Sequence, residues 1–226
     1  MTDLFPLDNP IWHALSTGHR DLAQFTGLAA RYPSDVSPLA GLHAPTPAAF
    51  ADLAQLIGPA EGVGLFTTEP VTAPADWQVV RARPIEQMVC TGLRSTSSAL
   101  PLTLQPSDVP EMLALAAATE PGPFQSGTIR MGRYYGIRST DGRLIAMAGE
   151  RLRLDGFIEI SAVCTDPSHR GHGYGRTLVE FLASQILDEG KVPFLHVKSE
   201  NGAKALYEQI GFSTRRAIQL TVLARR

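Results

Sequence analysis

Two Asp-Gly pairs, Asp141-Gly142 and Asp155-Gly156, cut one largely apolar stretch into three pieces of strand length. Gly accepts the positive φ that a two-residue hairpin turn requires, and Asp tolerates it, so each pair predicts a β-hairpin. The strands fall at about 131–138, 143–154 and 157–165. A chain punctuated in this way is committed to an antiparallel meander here. The run Arg170-Gly171-His172-Gly173-Tyr174-Gly175 then leads into a helix of about 173–188, with Leu178, Phe181, Leu182 and Ile186 on one face and Gly190 past its end. Residues 193–197 read as a strand and 202–210 as a short helix with Ala203, Leu206, Tyr207 and Ile210 on one face. A last strand runs from 212 to about 223. The strand at 157–165, the helix and the strand at 193–197 predict a parallel crossover.

The region before the meander is less regular. Residues 102–104 read as a short strand, and Ser107 caps a helix that Pro121-Gly122-Pro123 ends. Further upstream a helix is expected at 48–57, started by Thr46 or Pro47, with short strands at 63–66 and 78–80. Charge changes near residue 95. Residues 1–95 carry 5 basic and 9 acidic side chains, residues 96–226 carry 15 and 13, and Ser95-Thr96-Ser97-Ser98 reads as a turn or linker. The expected organisation is an N-terminal α/β region, 1–95, followed by a catalytic region, 96–226.

Composition narrows the function classes. With 44% apolar and 19% charged residues, 226 residues form an ordinary globular core. Lys plus Arg number 20 against 22 Asp plus Glu, which argues against a nucleic-acid binder with a broad basic surface. Two cysteines, Cys90 and Cys164, exclude a disulfide framework or a Cys-rich zinc site, and His169 and His172 lack partners at ligand spacing, so no metal is expected. The longest apolar run, 112–118, is too short to span a bilayer, and the first residues lack a basic leader pattern. A soluble, cytoplasmic protein without membrane or nucleic-acid partners is expected.

The glycine loop carries the chemistry. Three Gly at alternate positions leave backbone N–H groups unobstructed, and the helix that follows adds its unpaired N-terminal N–H groups and positive dipole end. Such a concavity suits a phosphate or diphosphate, with Arg170 at its mouth. A P-loop is excluded because no Lys occurs between Gly171 and Gly190. A dinucleotide fingerprint fails because the third Gly falls one position early and the preceding strand belongs to a meander.

The loop does fit [RQ]-x-x-G-x-[GA] through Arg170, Gly173 and Gly175. With Ile160-Ser161-Ala162-Val163-Cys164-Thr165 before it and Asn201, Ala205-Leu206-Tyr207-Glu208 and Gly211-Phe212 after it, residues 100–223 resemble the GCN5-related N-acetyltransferase (GNAT) superfamily, in particular its FR47-like members. The resemblance implies an α/β fold with a mixed, mostly antiparallel sheet flanked by helices, residues 1–95 being an extension or a degenerate half-domain. It implies acetyl-CoA as cosubstrate. The backbone of Val163, Cys164 and Thr165 would pair with its pantetheine arm, Arg170 and the amides of Gly171, His172, Gly173, Tyr174, Gly175 and Arg176 would hold its diphosphate, and Asn201 would meet it near the thioester. Tyr207 would protonate the departing thiolate. The expected reaction is direct acetyl transfer to a primary amine, on a small molecule or a peptide. The alternatives are a longer acyl donor, as in glycine N-acyltransferase-like enzymes, or an acyl-CoA-binding module without turnover.

The base stays open at this stage between Glu159, His196 and a water molecule. Period-2 alternation puts Glu159, Ser161, Val163 and Thr165 on one strand face, where a partly desolvated Glu159 carboxyl would be raised toward neutrality. Its other reading is an exposed strand residue paired with Arg or Lys. His196 is the rival because imidazole in general titrates near neutrality, but a lone His in a strand is more often an ordinary core or surface residue. Cys164 is expected on the face opposite Glu159 and not as a nucleophile. Tyr134 and Tyr135 line the acceptor pocket or merely pack.

Overall fold

The structure, a computed structural model, describes residues 3–94, 100–198 and 202–226. Pro and Gly keep the first elements short. Helix α1 (Pro10–Ser16) starts on a Pro, and β1 (Gln24–Thr26), β2 (Ala29–Arg31) and β3 (Ala40–Leu42) pair antiparallel as a small sheet. Helix α2 (Pro47–Leu56) has Thr46 as its N-cap, the hydroxyl accepting from the Ala49 amide, as the sequence predicts. Next come β4 (Gly62–Thr67), β5 (Trp77–Cys90), β6 (Leu102–Thr103) and α3 (Val109–Thr119). Ser107 does not cap α3. Gln105 and Asp108 instead form a reciprocal capping box around the 3-10 turn that leads into it.

The meander is β7 (Tyr134–Arg138), β8 (Leu144–Leu154) and β9 (Phe157–Thr165), paired antiparallel in that order. The first strand starts later than expected because Thr128–Met131 coils into a 3-10 turn. Helix α4 (Tyr174–Asp188) follows, then β10 (Val192–Val197), α5 (Ala203–Ile210) and β11 (Phe212–Arg225). The main sheet has the order β4-β11-β5-β10-β9-β8-β7-β6, and β9 and β10 are parallel as the crossover requires. The result is an α/β fold with a mixed, mostly antiparallel sheet covered on both faces.

Strand β5 is far longer than the three residues expected. Exposed Arg81, half-buried Arg83 and a mid-strand Pro84 hide it in the sequence, and its long pairing with β11 reveals it. Pro84 is tolerated because only β11 flanks β5 there, the pairing with β10 beginning at Glu86. Strand β5 lies between β10 and β11, so the charge boundary near residue 95 does not coincide with a break in the sheet.

One face packs under α4 and α5 through Ile158, Ile160, Leu178, Leu182, Leu195 and Ile210. The other packs against α1, α3 and the N-terminal elements, with Phe157 and Phe194 in one cluster and Met112, Tyr134 and Cys164 in another. A fully buried side chain of this size contributes about 1.5–3 kcal/mol relative to exposure. No described helix is long and apolar enough to cross a membrane.

Two bulges decide which side chains reach which face. In β9, Ala162 has φ +52°, and three residues of β9 span two of β8 between Cys164 and Ser161. Alternation is therefore interrupted: Glu159 and Ser161 point away from α4, and Val163 and Thr165 point toward it. Cys164 lies on the same face as Glu159, not the opposite one, packed against α3. The compensating irregularity in β8, between Glu150 and Arg153, turns Arg151 toward Glu159.

Candidate functional site

Strands β9 and β10 stop pairing at Glu159 and Phe194. Beyond this point they splay. The gap is a groove of about 390 Å³, lined among others by Val163, Thr165, Leu195, Val197 and Tyr207, with Arg170 also on its wall. Residues 160–165 keep β8 on one side, while no described strand covers their other edge. That edge offers backbone donors and acceptors to an extended ligand.

The groove runs toward the glycine loop. Gly171 and Gly173 have φ of +83° and +80°, a backbone conformation that an L side chain adopts only with strain. Gly173 is the N-cap of α4 and among the described residues no side chain caps the helix, so its first N–H groups remain available. Gly175 is already helical, within contact distance of Val163 and Thr165 were it to carry a Cβ. The side chains of the loop turn aside. His172 Nδ1 lies 3.1 and 3.0 Å from the carbonyls of His169 and Arg170, and its ring stacks on Tyr174. Arg170 is exposed, its Nε 3.4 Å from the Thr165 carbonyl. The Arg176 guanidinium is held by Glu180 and Gln209, leaving its amide as the group facing the loop.

Tyr207 projects from α5 into the groove and is buried, which pushes its hydroxyl up to about 12. Among the described residues none hydrogen-bonds that hydroxyl. Asn201 lies outside the described residues.

Glu159 and His196 are together, but not as a free base. Arg151 grips Glu159 with Nη2 2.5 Å from Oε1 and Nε 2.9 Å from Oε2. The Nδ1–H of His196 donates to Oε1 at 2.7 Å. Burial pushes the Glu159 carboxyl up, but Arg151 and His196 outweigh it and hold the carboxyl well below its ordinary range. The expectation of a raised Glu159 is thus corrected: it is fully buried, ionised and paired. His196 Nε2 accepts from the Gln87 amide at 3.1 Å, while the same amide nitrogen donates to the Leu7 carbonyl and its oxygen accepts from Arg215. Both ring nitrogens are therefore engaged.

Cys164 is buried, and burial pushes its thiol up to about 11 despite a hydrogen bond with Thr119. It is inert as a nucleophile at neutral pH. His169 pairs with Asp166, and no cluster of metal-ligating side chains occurs among the described residues. Sequence reasoning missed Arg151 and Gln87. The available signal was a charged residue amid the apolar run of β8 and an amide in the apolar end of β5.

Residues 134–220 match the family described as FR47-like protein. No curated protein is significantly similar to the chain. Among solved structures, a GNAT-family protein from Novosphingobium aromaticivorans is 41% identical over 98% of this chain and 99% of its own, with a TM-score of 0.89. A GCN5-related N-acetyltransferase from Kribbella flavida, 18% identical over 96% of this chain and 95% of its own, shares the fold with a TM-score of 0.63. Identity of the first kind, carried across nearly the whole of both chains and not only through the loop, makes this protein a member of the GNAT family of acetyltransferases.

Proposed function

We propose that the protein transfers the acetyl group of acetyl-CoA to a primary amine by direct attack in a ternary complex. The observation that supports this most is the edge of β9 that no described strand covers, running into a loop of two positive-φ glycines at the start of α4, which no described side chain caps. In this reading the amides from Gly171 to Arg176 bind the diphosphate, and the backbone of Val163, Cys164 and Thr165 aligns the pantetheine arm. Acetyl-CoA supplies an already activated acyl group, so positioning provides much of the rate.

Tyr207 keeps its proton at neutral pH and gives it to the departing sulfur as the nitrogen–carbon bond forms and the carbon–sulfur bond breaks. Asn201 is assigned to the thioester end by resemblance alone. Cys164, buried and protonated, takes no part, which favours direct attack. With the Glu159 oxygens and the His196 nitrogens already engaged, we assign the amine proton to a water molecule in the groove, Glu159 and His196 acting as positioning residues. Both cysteines are free and buried, in keeping with a reducing compartment such as the cytoplasm.

The test is release of free CoA thiol from acetyl-CoA across a panel of amines, with propionyl and longer donors compared. Amine-dependent thiol release supports the reading. Binding of the donors without release under any amine overturns it in favour of a non-catalytic binding module.

A further inference from the structure

A second, much smaller cavity adjoins the groove and shares Pro121, Ser161 and Ala162 with it. Phe124, Tyr134, Arg151 and Thr128, whose hydroxyl already donates to the Val36 carbonyl, also line it. Its room, about 10 Å³, holds one water-sized group and not a side chain. Of the two neighbouring tyrosines, only Tyr134 lies here, while Tyr135 packs on Phe181 under α4.

Arg151 is a donor, and the hydroxyls of Tyr134 and Ser161 that line this cavity with it can donate. Arg151 spends Nε and Nη2 on Glu159, and among the described residues its Nη1 has no hydrogen-bond partner. The hydroxyls of Tyr134 and Ser161 likewise have none among the described residues, although Tyr134 is only 1% exposed. Tyr134 lines the cavity, where a ligand oxygen would accept from its hydroxyl. The charge here is already balanced. Glu159 matches the Arg151 guanidinium at 2.5 Å, so a second carboxylate would enter as an unmatched buried anion beside Glu159. A neutral carbonyl oxygen accepts the same hydrogen bonds at no such cost.

We propose that the acceptor is a primary amine with a neutral carbonyl beside it, a peptide N-terminus or an amino-acid amide, and that this cavity receives the carbonyl oxygen from Arg151 and Tyr134. Resting on the acetyltransferase reading, the proposal names the acceptor class for the same site. The amine then stands in the groove on the Ser161 side, facing the thioester end.

Three amines of similar size separate the possibilities at saturating acetyl-CoA: alaninamide, alanine and isopropylamine, compared at equal concentrations of free base. The proposal expects kcat/KM for alaninamide to exceed both others by at least about tenfold, because a site built to hydrogen-bond an oxygen rejects an analogue lacking it. Tyr134→Phe and, independently, Ser161→Ala reduce the alaninamide-to-isopropylamine ratio, Tyr134→Phe by about tenfold, with acetyl-CoA affinity as the control for folding. Equal turnover of alaninamide and isopropylamine, a preference for alanine, or no turnover of any of the three by protein that binds acetyl-CoA overturns it. Failure to bind acetyl-CoA removes the acetyltransferase reading itself and is recognised by that separate measurement.

Discussion

His196 on β10 donates its Nδ1–H to Oε1 of Glu159 on β9 across 2.7 Å, at the point where the two parallel strands part. With Arg151 and Gln87 this makes a buried polar chain that fixes how the groove opens. Glu159→Gln keeps the shape of the side chain but leaves the Arg151 guanidinium uncompensated. Breaking one side of a buried pair costs about 3–5 kcal/mol, read as a lowered urea midpoint. A variant of unchanged stability that had lost only turnover would instead identify Glu159 as the base.

The same pair sets an acid limit on stability. The Glu159 carboxyl sits below its ordinary value of 4.5 in the folded protein, so the unfolded chain binds its proton first. Its contribution is complete above about pH 5 and is lost progressively as pH falls through 4.5 toward the lower, folded value. Urea titrations between pH 7 and 3 should show this loss, and Glu159→Gln should flatten it.

Tyr207→Phe removes one buried hydroxyl and keeps the ring against Phe212. The expected outcome is a fall in kcat of about a hundredfold, with melting temperature and acetyl-CoA affinity little changed. Because burial pushes the hydroxyl up to about 12, the wild-type kcat should not decline on its account below about pH 10. An alkaline decline near neutrality that disappears in Tyr207→Phe would contradict this.

Cys164→Ala tests direct attack. The buried thiol packs against α3, so its loss should cost about 1–2 kcal/mol of stability while kcat stays within a few-fold. Mass spectrometry of wild-type protein mixed with acetyl-CoA alone should find no acetyl group on Cys164. A stable acetyl adduct together with an inactive Ala variant would establish a covalent route.

The parts legible in the sequence are those with local causes. Asp141-Gly142 and Asp155-Gly156 mark turns by their own backbone needs, and Gly171 and Gly173 mark the loop by theirs. Strand β5 was not legible because its pairing partner β11 lies more than a hundred residues away and its exposed half carries no alternation. The faces of Glu159 and Cys164 were misjudged because the bulge at Ala162 has no local signature, Ala being an unusual residue at positive φ. The bulge in β8 hid Arg151 in the same way, and with it the reason Glu159 is ionised rather than raised.

Placement of β5 between β10 and β11 carries its own consequence. A fragment of residues 96–226 lacks the strand that joins them and exposes Leu195, Val197, Phe212 and Ile218. It should remain unfolded or aggregate, as seen by circular dichroism and gel filtration. A soluble fragment with cooperative unfolding would show that the C-terminal region folds alone.

The central claim is that main-chain amides of the loop from Gly171 to Arg176 bind the diphosphate of coenzyme A. Calorimetric titration of the intact protein with acetyl-CoA measures it most directly. The account predicts saturable binding with one site per chain, weakened about tenfold in Gly171→Ala and Gly173→Ala, since a side chain in the left-handed region costs about 1–2 kcal/mol. Binding indifferent to both substitutions, or no binding by the folded wild-type protein, would contradict it.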